Sequence, residues 1–203
     1  MLSLAMVIPA YAGEPAAPVF EYPNQEPAPA CNCPLALEIG PTYTYATDDL
    51  GGIAGHLDMK GVDLTALYNL SDKWSITLRG AWAKGTAPCM YIYATDANEY
   101  VNYDIEGESW SVMVGVRYTA PITEKLSWFA GAQVGGTKLE LKDDCGSDDD
   151  TGVSYSIETG LKFNMTDKLY IYGAVQGTGT QATPADIDKQ YGIGIRAGLG
   201  FDF

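Results

Sequence analysis

The 203-residue sequence predicts an all-β fold, an eight-stranded antiparallel transmembrane β-barrel. Three observations lead to this prediction. Apolar and polar residues alternate with a period of two in eight successive segments, which is the pattern of a strand with one apolar face. Aromatic residues bracket several of these apolar faces, and short connections alternate with long ones. Both of these features are typical of barrels that cross an outer membrane.

The composition excludes some functions but does not choose between a soluble and a membrane β-protein. The formal net charge is -14, which argues against nucleic acid, whose phosphates require Lys and Arg, and against a peripheral protein with a basic lipid-binding face. No apolar run approaches the roughly 20 residues of a transmembrane helix. Barrel strands are shorter and only half apolar, so composition leaves both classes open.

The N-terminal residues predict export. Residues 1–12 contain an apolar run that ends in Ala10-Tyr11-Ala12, a small-x-small pattern that favours signal-peptidase cleavage after Ala12. The run has no Lys or Arg before it, so we interpret it as part of a longer signal peptide. Residues 13–34 are rich in Pro, Glu and Ala, and we expect an extended periplasmic linker there.

The alternating segments fill residues 35–203, which we assign to the barrel. Pro41 lies inside the first strand and removes one ladder donor, and Phe129 makes the fifth strand the weakest because it falls on the polar face. The eight predicted strands are 35–45, 62–68, 74–82, 110–118, 126–134, 153–163, 169–176 and 191–203.

Aromatic positions indicate a membrane barrel rather than a soluble one. Trp74 and Trp82 lie on one face of one strand, eight residues apart. Eight residues rise roughly 26 Å along a strand, or about 19 Å along the barrel axis at a tilt near 45°. This is about the separation of the two interfacial girdles. The residues predicted to form the girdles are Trp74, Trp82, Trp110, Tyr118, Tyr155 and Phe163.

The connections alternate in length. Three short ones, 69–74, 122–126 and 164–169, each contain Ser or Thr, an acidic residue and Lys. Short periplasmic turns and long extracellular loops are the arrangement of outer-membrane barrels, so we place the short turns in the periplasm. The longer polar connections, which we place outside, are 48–56, 86–103, 142–152 and 178–189.

The strand–turn unit 61–68 leads into Asp72-Lys73-Trp74, and the last strand ends in Phe203. In these features residues 35–203 resemble the OmpA- and OmpX-like family of small outer-membrane barrels. This resemblance implies a monomeric, integral outer-membrane protein whose partners are outer-membrane lipids, lipopolysaccharide and the outer-membrane assembly machinery. It also implies that Leu199, Phe201 and Phe203 form the signal that this machinery recognises.

Alternation places seven charged residues inside the barrel. An eight-stranded barrel has an interior that side chains just fill, so opposite charges are expected to pair there. A structural polar plug and a gated narrow pore both fit, and tight pairing of Arg117 with Glu38 or Glu158 would favour the plug. The inward glycines between 192 and 200 leave room and favour water-filled pockets. The predicted lumenal charges are Glu38, Asp63, Arg79, Arg117, Glu158, Lys162 and Arg196.

Four cysteines in an exported chain predict disulfide chemistry. Cys89 and Cys145 lie in neighbouring long loops on one side of the membrane, and we expect a bond between them. Cys31 and Cys33 lie on the opposite side, so pairing across the barrel is excluded by distance. A bond between these two would be strained, and a metal or redox role remains an alternative for them.

Two further groups of residues could carry chemistry. The loop carboxylates could hold a hard cation such as Ca²⁺, although such a charge run is more often simply solvated. His56 is the only histidine, and a lipid A-modifying enzyme would need it beside a Ser and a carboxylate, which no spacing indicates. We therefore predict no catalytic residues and no other cofactor. The candidate cation ligands are Asp143, Asp144, Asp148, Asp149 and Asp150.

These observations leave two principal functions and one less favoured alternative. The preferred one is a structural or surface-interaction barrel with acidic extracellular loops. The second is a narrow porin-like channel for ions or small solutes, and the third is a lipid A-modifying enzyme. Strand number favours the first over the second, because small barrels are packed with side chains.

Overall fold

The computed structural model describes residues 35–50, 53–94, 99–143, 146–182 and 190–203. Within these ranges, only the backbone is described for 48–50, 53–56, 87–94, 99–105, 143 and 146. The predicted signal peptide and linker, residues 1–34, lie outside the described residues. In the described part of the chain, no helix is long and apolar enough to cross a membrane.

The described residues form eight strands in one closed barrel. Each strand pairs antiparallel with the next in sequence, and β1 pairs with β8 to close the sheet. Full closure removes the exposed strand edges that an open sheet would present. The strands are β1 (Leu35–Leu50), β2 (Ile53–Asn69), β3 (Trp74–Ala94), β4 (Glu99–Pro121), β5 (Leu126–Asp143), β6 (Gly146–Asn164), β7 (Leu169–Thr180) and β8 (Gln190–Asp202).

The strands extend further on the outer side than the alternation predicted. β3 and β4 remain paired out to Ala94 and Glu99, so most of the predicted connection 86–103 is strand. β5 and β6 remain paired out to Asp143 and Gly146. Above the membrane a strand no longer needs an apolar face, so alternation disappears while backbone pairing continues. The first three outer connections are therefore largely paired hairpin extensions.

The outer wall of the barrel is apolar, as the alternation predicted. Val112, Val114 and Val116 on β4, and Ile193 and Ile195 on β8, all expose about half or more of their surface. Their alternating neighbours face the interior. Such a band would be unfavourable in water but matches the hydrocarbon of a bilayer.

Pro41 is accommodated by two glycines. The β1–β8 pairing runs from Ile39↔Leu199 to Thr42↔Arg196, and the positions between them make no ladder pair. There the backbones approach so closely that a Cβ atom on either Gly40 or Gly198 would overlap the opposite strand. The two strands therefore stay in close contact where proline cannot donate a ladder bond, and the sheet remains closed there.

The three short turns share one structure. In each, a hydroxyl accepts backbone N–H bonds from the residues two and three positions later, as Ser71 does from Lys73 and Trp74. Thr123 and Thr166 make the equivalent bonds. The Ser or Thr of the repeated pattern is therefore explained by turn formation, because its hydroxyl replaces missing ladder partners.

Candidate functional site: the charged interior

Six of the seven predicted lumenal charges form one buried cluster in the middle of the barrel. Its three guanidinium groups and three carboxylates are balanced in formal charge. The side chains of all six are at most 3% exposed. The members are Glu38, Asp63, Arg79, Arg117, Glu158 and Arg196.

Arg196 is at the centre of this cluster. Its Nη1 lies 2.7 Å from an oxygen of Glu158, and its Nη2 lies 2.8 Å from Asp63 and 3.4 Å from Glu38. The same Nη2 donates to the Thr65 hydroxyl at 3.0 Å. One side chain from β8 therefore links strands β1, β2 and β6 across the lumen.

Arg117 joins the other side of the barrel to the same carboxylates. It donates to both oxygens of Glu38, at 2.6 and 3.1 Å, and to Glu158 at 2.8 Å. Arg79 lies 3.4 Å from Asp63 and donates to the Gln176 side chain at 2.7 Å. Bidentate and charge-assisted bonds of this kind are the stronger class of hydrogen bond, so the cluster holds its members in fixed positions.

Aromatic side chains pack beneath the arginines. The Arg117 guanidinium lies 4.5 Å from the centre of the Phe129 ring, and the Tyr170 hydroxyl donates to Glu38 at 3.2 Å. Phe129, Tyr170 and Tyr172 form one buried group with Ala174. Phe129 thus points inward, as its position in the sequence required, and its apolar ring supports a cation there.

Lys162 does not belong to the central cluster, which corrects part of the sequence prediction. It lies near the periplasmic end, where it pairs with Asp202 at 3.1 Å, and both side chains are about one fifth exposed. Its ammonium also lies over the Tyr170 ring at 3.6 Å. Alternation gave the correct face but not the height along the axis, because height depends on strand tilt and stagger.

Most of the room left by the β8 glycines is filled, contrary to the expectation of water-filled pockets. Tyr170 and Tyr172 face Gly200 and Gly198 across the β7–β8 ladder, and a Cβ on Gly200 would overlap the Tyr170 ring. Space remains towards the outer end of the described lumen. A cavity of about 110 Å³ lies there, lined by Arg79, Gly192 and many small hydroxyl residues.

An apolar group lies beside and above this cavity. Its buried members include Leu57, Met59 and Leu139, with Ala46 and Ala182. The described lumen therefore has an aromatic layer near the periplasm, a charged layer in the middle, and a small cavity of mixed lining beside an apolar layer. The tight pairing of Arg117 with Glu38 and Glu158 is the observation that favours a plug over an open pore.

The predicted girdle residues lie at two levels of the outer wall. Trp82 and Trp110 face each other across the β3–β4 ladder, with ring centres 6.0 Å apart. At the periplasmic level Trp74 contacts Tyr118 at 5.1 Å, and Trp128 extends the row at 6.4 Å. Trp128 was not predicted, because β5 has no second outward aromatic at the eight-residue spacing. Tyr155 and Phe163 also face outward.

The remaining candidate residues are only partly described. Cys31, Cys33, Asp144 and Cys145 lie outside the described residues, as do the side chains of Asp143, Cys89 and His56, so the disulfide and the histidine site stay predictions. Asp148, Asp149 and Asp150 are consecutive in β6, so their side chains alternate between the two faces. Asp149 pairs with Lys138 at 2.9 Å. Among the described residues, no group of three potential metal ligands comes together.

A family model described as "Outer membrane protein beta-barrel domain" matches residues 28–201. The chain belongs to this family. This membership establishes an integral protein of the bacterial outer membrane, and it confirms the resemblance and the localisation inferred from the sequence. A search of curated proteins found no match.

Solved structures of other outer-membrane β-barrels have the same fold. Neisserial surface protein A, from Neisseria, is 12% identical with a TM-score of 0.59, over 83% of this chain and 97% of that one. Ail, the attachment invasion locus protein of Yersinia pestis, is 20% identical with a TM-score of 0.50, over 82% of this chain and 97% of that one. At these identities the likeness shows the fold alone.

The C-terminal residues lie where β8 pairs with β1 and closes the barrel. Leu199, Phe201 and Phe203 face outward, and the Phe201 and Phe203 rings contact each other at 5.0 Å. The Phe203 N–H donates to the Leu35 carbonyl at 3.0 Å, which joins the last residue to the start of β1. The predicted assembly signal is therefore accessible on the lipid-facing wall.

Proposed function

We propose that this outer-membrane protein is a closed barrel with a structural or surface-interaction role, and that it does not conduct ions or solutes. The observation that carries this proposal is the balanced cluster of three arginines and three carboxylates across the lumen. Opening a path would separate buried ion pairs, and each unpaired charge left behind would be costly. If nothing passes through the interior, the surfaces outside the membrane are where function lies.

The outer extensions support a surface role for an acidic protein. Segments 46–60, 84–108, 138–152 and 178–190 together contain sixteen acidic and five basic residues. The related Ail barrel has been crystallised with the heparin analogue sucrose octasulfate, which is a polyanion. An acidic surface would repel such a ligand, so we propose that this barrel meets neutral or cationic partners instead.

Solute flux tests the closed interior. The full-length protein is refolded into phospholipid vesicles, and swelling is followed in isotonic solutions of a small sugar and of glycine. We expect the same rate as in protein-free vesicles, with folding verified by the shift in gel mobility on heating. Swelling that increases with the amount of folded protein would replace this proposal with the porin-like channel.

Affinity for charged supports tests the surface role. At low salt we expect the refolded protein to bind an immobilised polycation and to pass through immobilised heparin. A variant with Asp148, Asp149 and Asp150 changed to Asn should elute from the polycation at lower salt, because three charges of the outer extensions are removed. Retention of the wild type on heparin would contradict the proposal.

A further inference from the structure

A groove of about 420 Å³ lies on the outward wall of the barrel, directly above the outer aromatic pair. Strand register explains its position. Trp82 and Trp110 face each other, and two residues further out Lys84 faces Glu108. Lys60 lies opposite Lys84 on the neighbouring strand β2. Because the aromatic pair marks the membrane interface, this row lies at the level of the lipid headgroups.

The charges in this row are not all compensated within the protein. Glu108 accepts bonds from the indoles of Trp82 and Trp110, at 2.9 and 3.2 Å, and pairs with Lys84 at 3.2 Å. Among the described residues Lys60 has no ion-pair partner. Like charges directly opposite in a ladder are destabilising, and Glu108 offsets only the charge of Lys84. An anion beside Lys60 that also contacts Lys84 would relieve the remaining repulsion.

We propose that this groove binds the phosphate of a phosphorylated lipid in the outer leaflet, held by the ammonium groups of Lys60 and Lys84. An ammonium group has three donors, so Lys84 can hold Glu108 and still donate to a phosphate oxygen. Val62 and Leu64 lie below Lys60 on the same face of β2 and are about half exposed, which gives an apolar surface for the acyl chains.

The row above explains why a lipid fits better than a free anion. Asp58, Glu106 and Lys142 line the outer side of the groove, and Lys142 pairs with Glu140 at 3.0 Å. The two groove carboxylates that remain would repel a phosphate that approaches from solution. A phosphate that is attached to acyl chains approaches from the membrane side and reaches the lysine row first. The inference rests on the membrane position of the barrel and not on the closed lumen.

The test measures binding to the full-length protein in neutral detergent by native mass spectrometry. The probes are bisphosphorylated lipid A, the same lipid with its phosphates removed, and inorganic phosphate as a competitor. The variant is Lys60→Gln/Lys84→Gln. The matched control is Lys138→Gln, because Lys138 is outward-facing and half exposed but lies outside the groove and pairs with Asp149.

We expect the wild type to prefer the phosphorylated lipid, and the double variant to bind it at least about tenfold more weakly, because each lost charge-assisted bond is worth about that much. The control should bind as the wild type does. Equal binding of the dephosphorylated lipid, an equal loss in the control, or no loss in the double variant would overturn the proposal. Displacement by inorganic phosphate at concentrations similar to the lipid would show a free-anion site and overturn the lipid assignment.

Discussion

Replacing Arg196 by Met is the change whose effect on the stability of the barrel the structure predicts most directly. This side chain is fully buried and bonds to three carboxylates, of which two are closer than 3 Å. Its removal leaves three carboxylates facing two arginines. Breaking a buried ion pair by removing one partner costs about 3–5 kcal/mol, so we expect the free energy of unfolding to fall by that amount.

Two comparison variants separate charge imbalance from lost packing. Lys162→Gln removes a cation from a partly exposed pair, so its cost should be about 0–1 kcal/mol. Arg196→Met/Glu158→Gln restores equal numbers of opposite charges in the lumen. We expect this double variant to recover about 1–3 kcal/mol relative to Arg196→Met, since the two residues are in direct contact.

The assay is equilibrium unfolding by urea of the barrel refolded in phospholipid vesicles, followed by tryptophan fluorescence. Folding and unfolding curves must coincide for the free energies to be comparable. If Arg196→Met cost no more than Lys162→Gln, the cluster would be open to water and the reasoning would be wrong. The same conclusion would follow if the Glu158→Gln change made Arg196→Met less stable rather than more stable.

The remaining predictions concern packing and assembly. Gly200→Ala should destabilise the barrel by about 1–3 kcal/mol in the same urea assay, because its Cβ would overlap the Tyr170 ring. Gly80→Ala is the control, since its Cβ would meet nothing within 4 Å, and a loss equal to that of Gly200→Ala would contradict the packing explanation. Phe203→Ala should slow insertion into the outer membrane in cells, measured as the folded fraction after a pulse of synthesis. It should leave refolding in vesicles nearly unchanged, and a comparable loss in both would indicate a structural role instead.

Much of the fold could be predicted because a barrel wall imposes a period of two on the sequence. Each strand separates lipid from lumen, so Val112 and Val114 on one face and Arg117 on the other follow directly from alternation. The inward position of Phe129 followed from the same rule, although the residue is apolar. The pairing of charges also followed, since an eight-stranded interior has no space for separated ions.

What could not be predicted depends on register and on regions without an apolar face. Alternation gives the face of a residue but not its position along the barrel axis. It therefore could not separate Lys162, near the periplasmic end, from Arg196 in the centre. It could not show that Tyr170 would lie over Gly200, because this depends on which residues of β7 and β8 face each other. The outer hairpins also could not be predicted, because the backbone pairs there without a hydrophobic pattern in the sequence.

Single-channel conductance of the wild-type protein in a planar bilayer tests the central claim, that paired charges close the interior, most directly. The protein is refolded at full length, and its folded state is verified by the heat-dependent gel shift. We predict no discrete current steps over a wide range of voltage, because the path for an ion is occupied by Arg117, Arg196 and their carboxylates. Discrete current steps of constant size from the wild-type protein would contradict the closed interior and would make the lumenal charges the functional site.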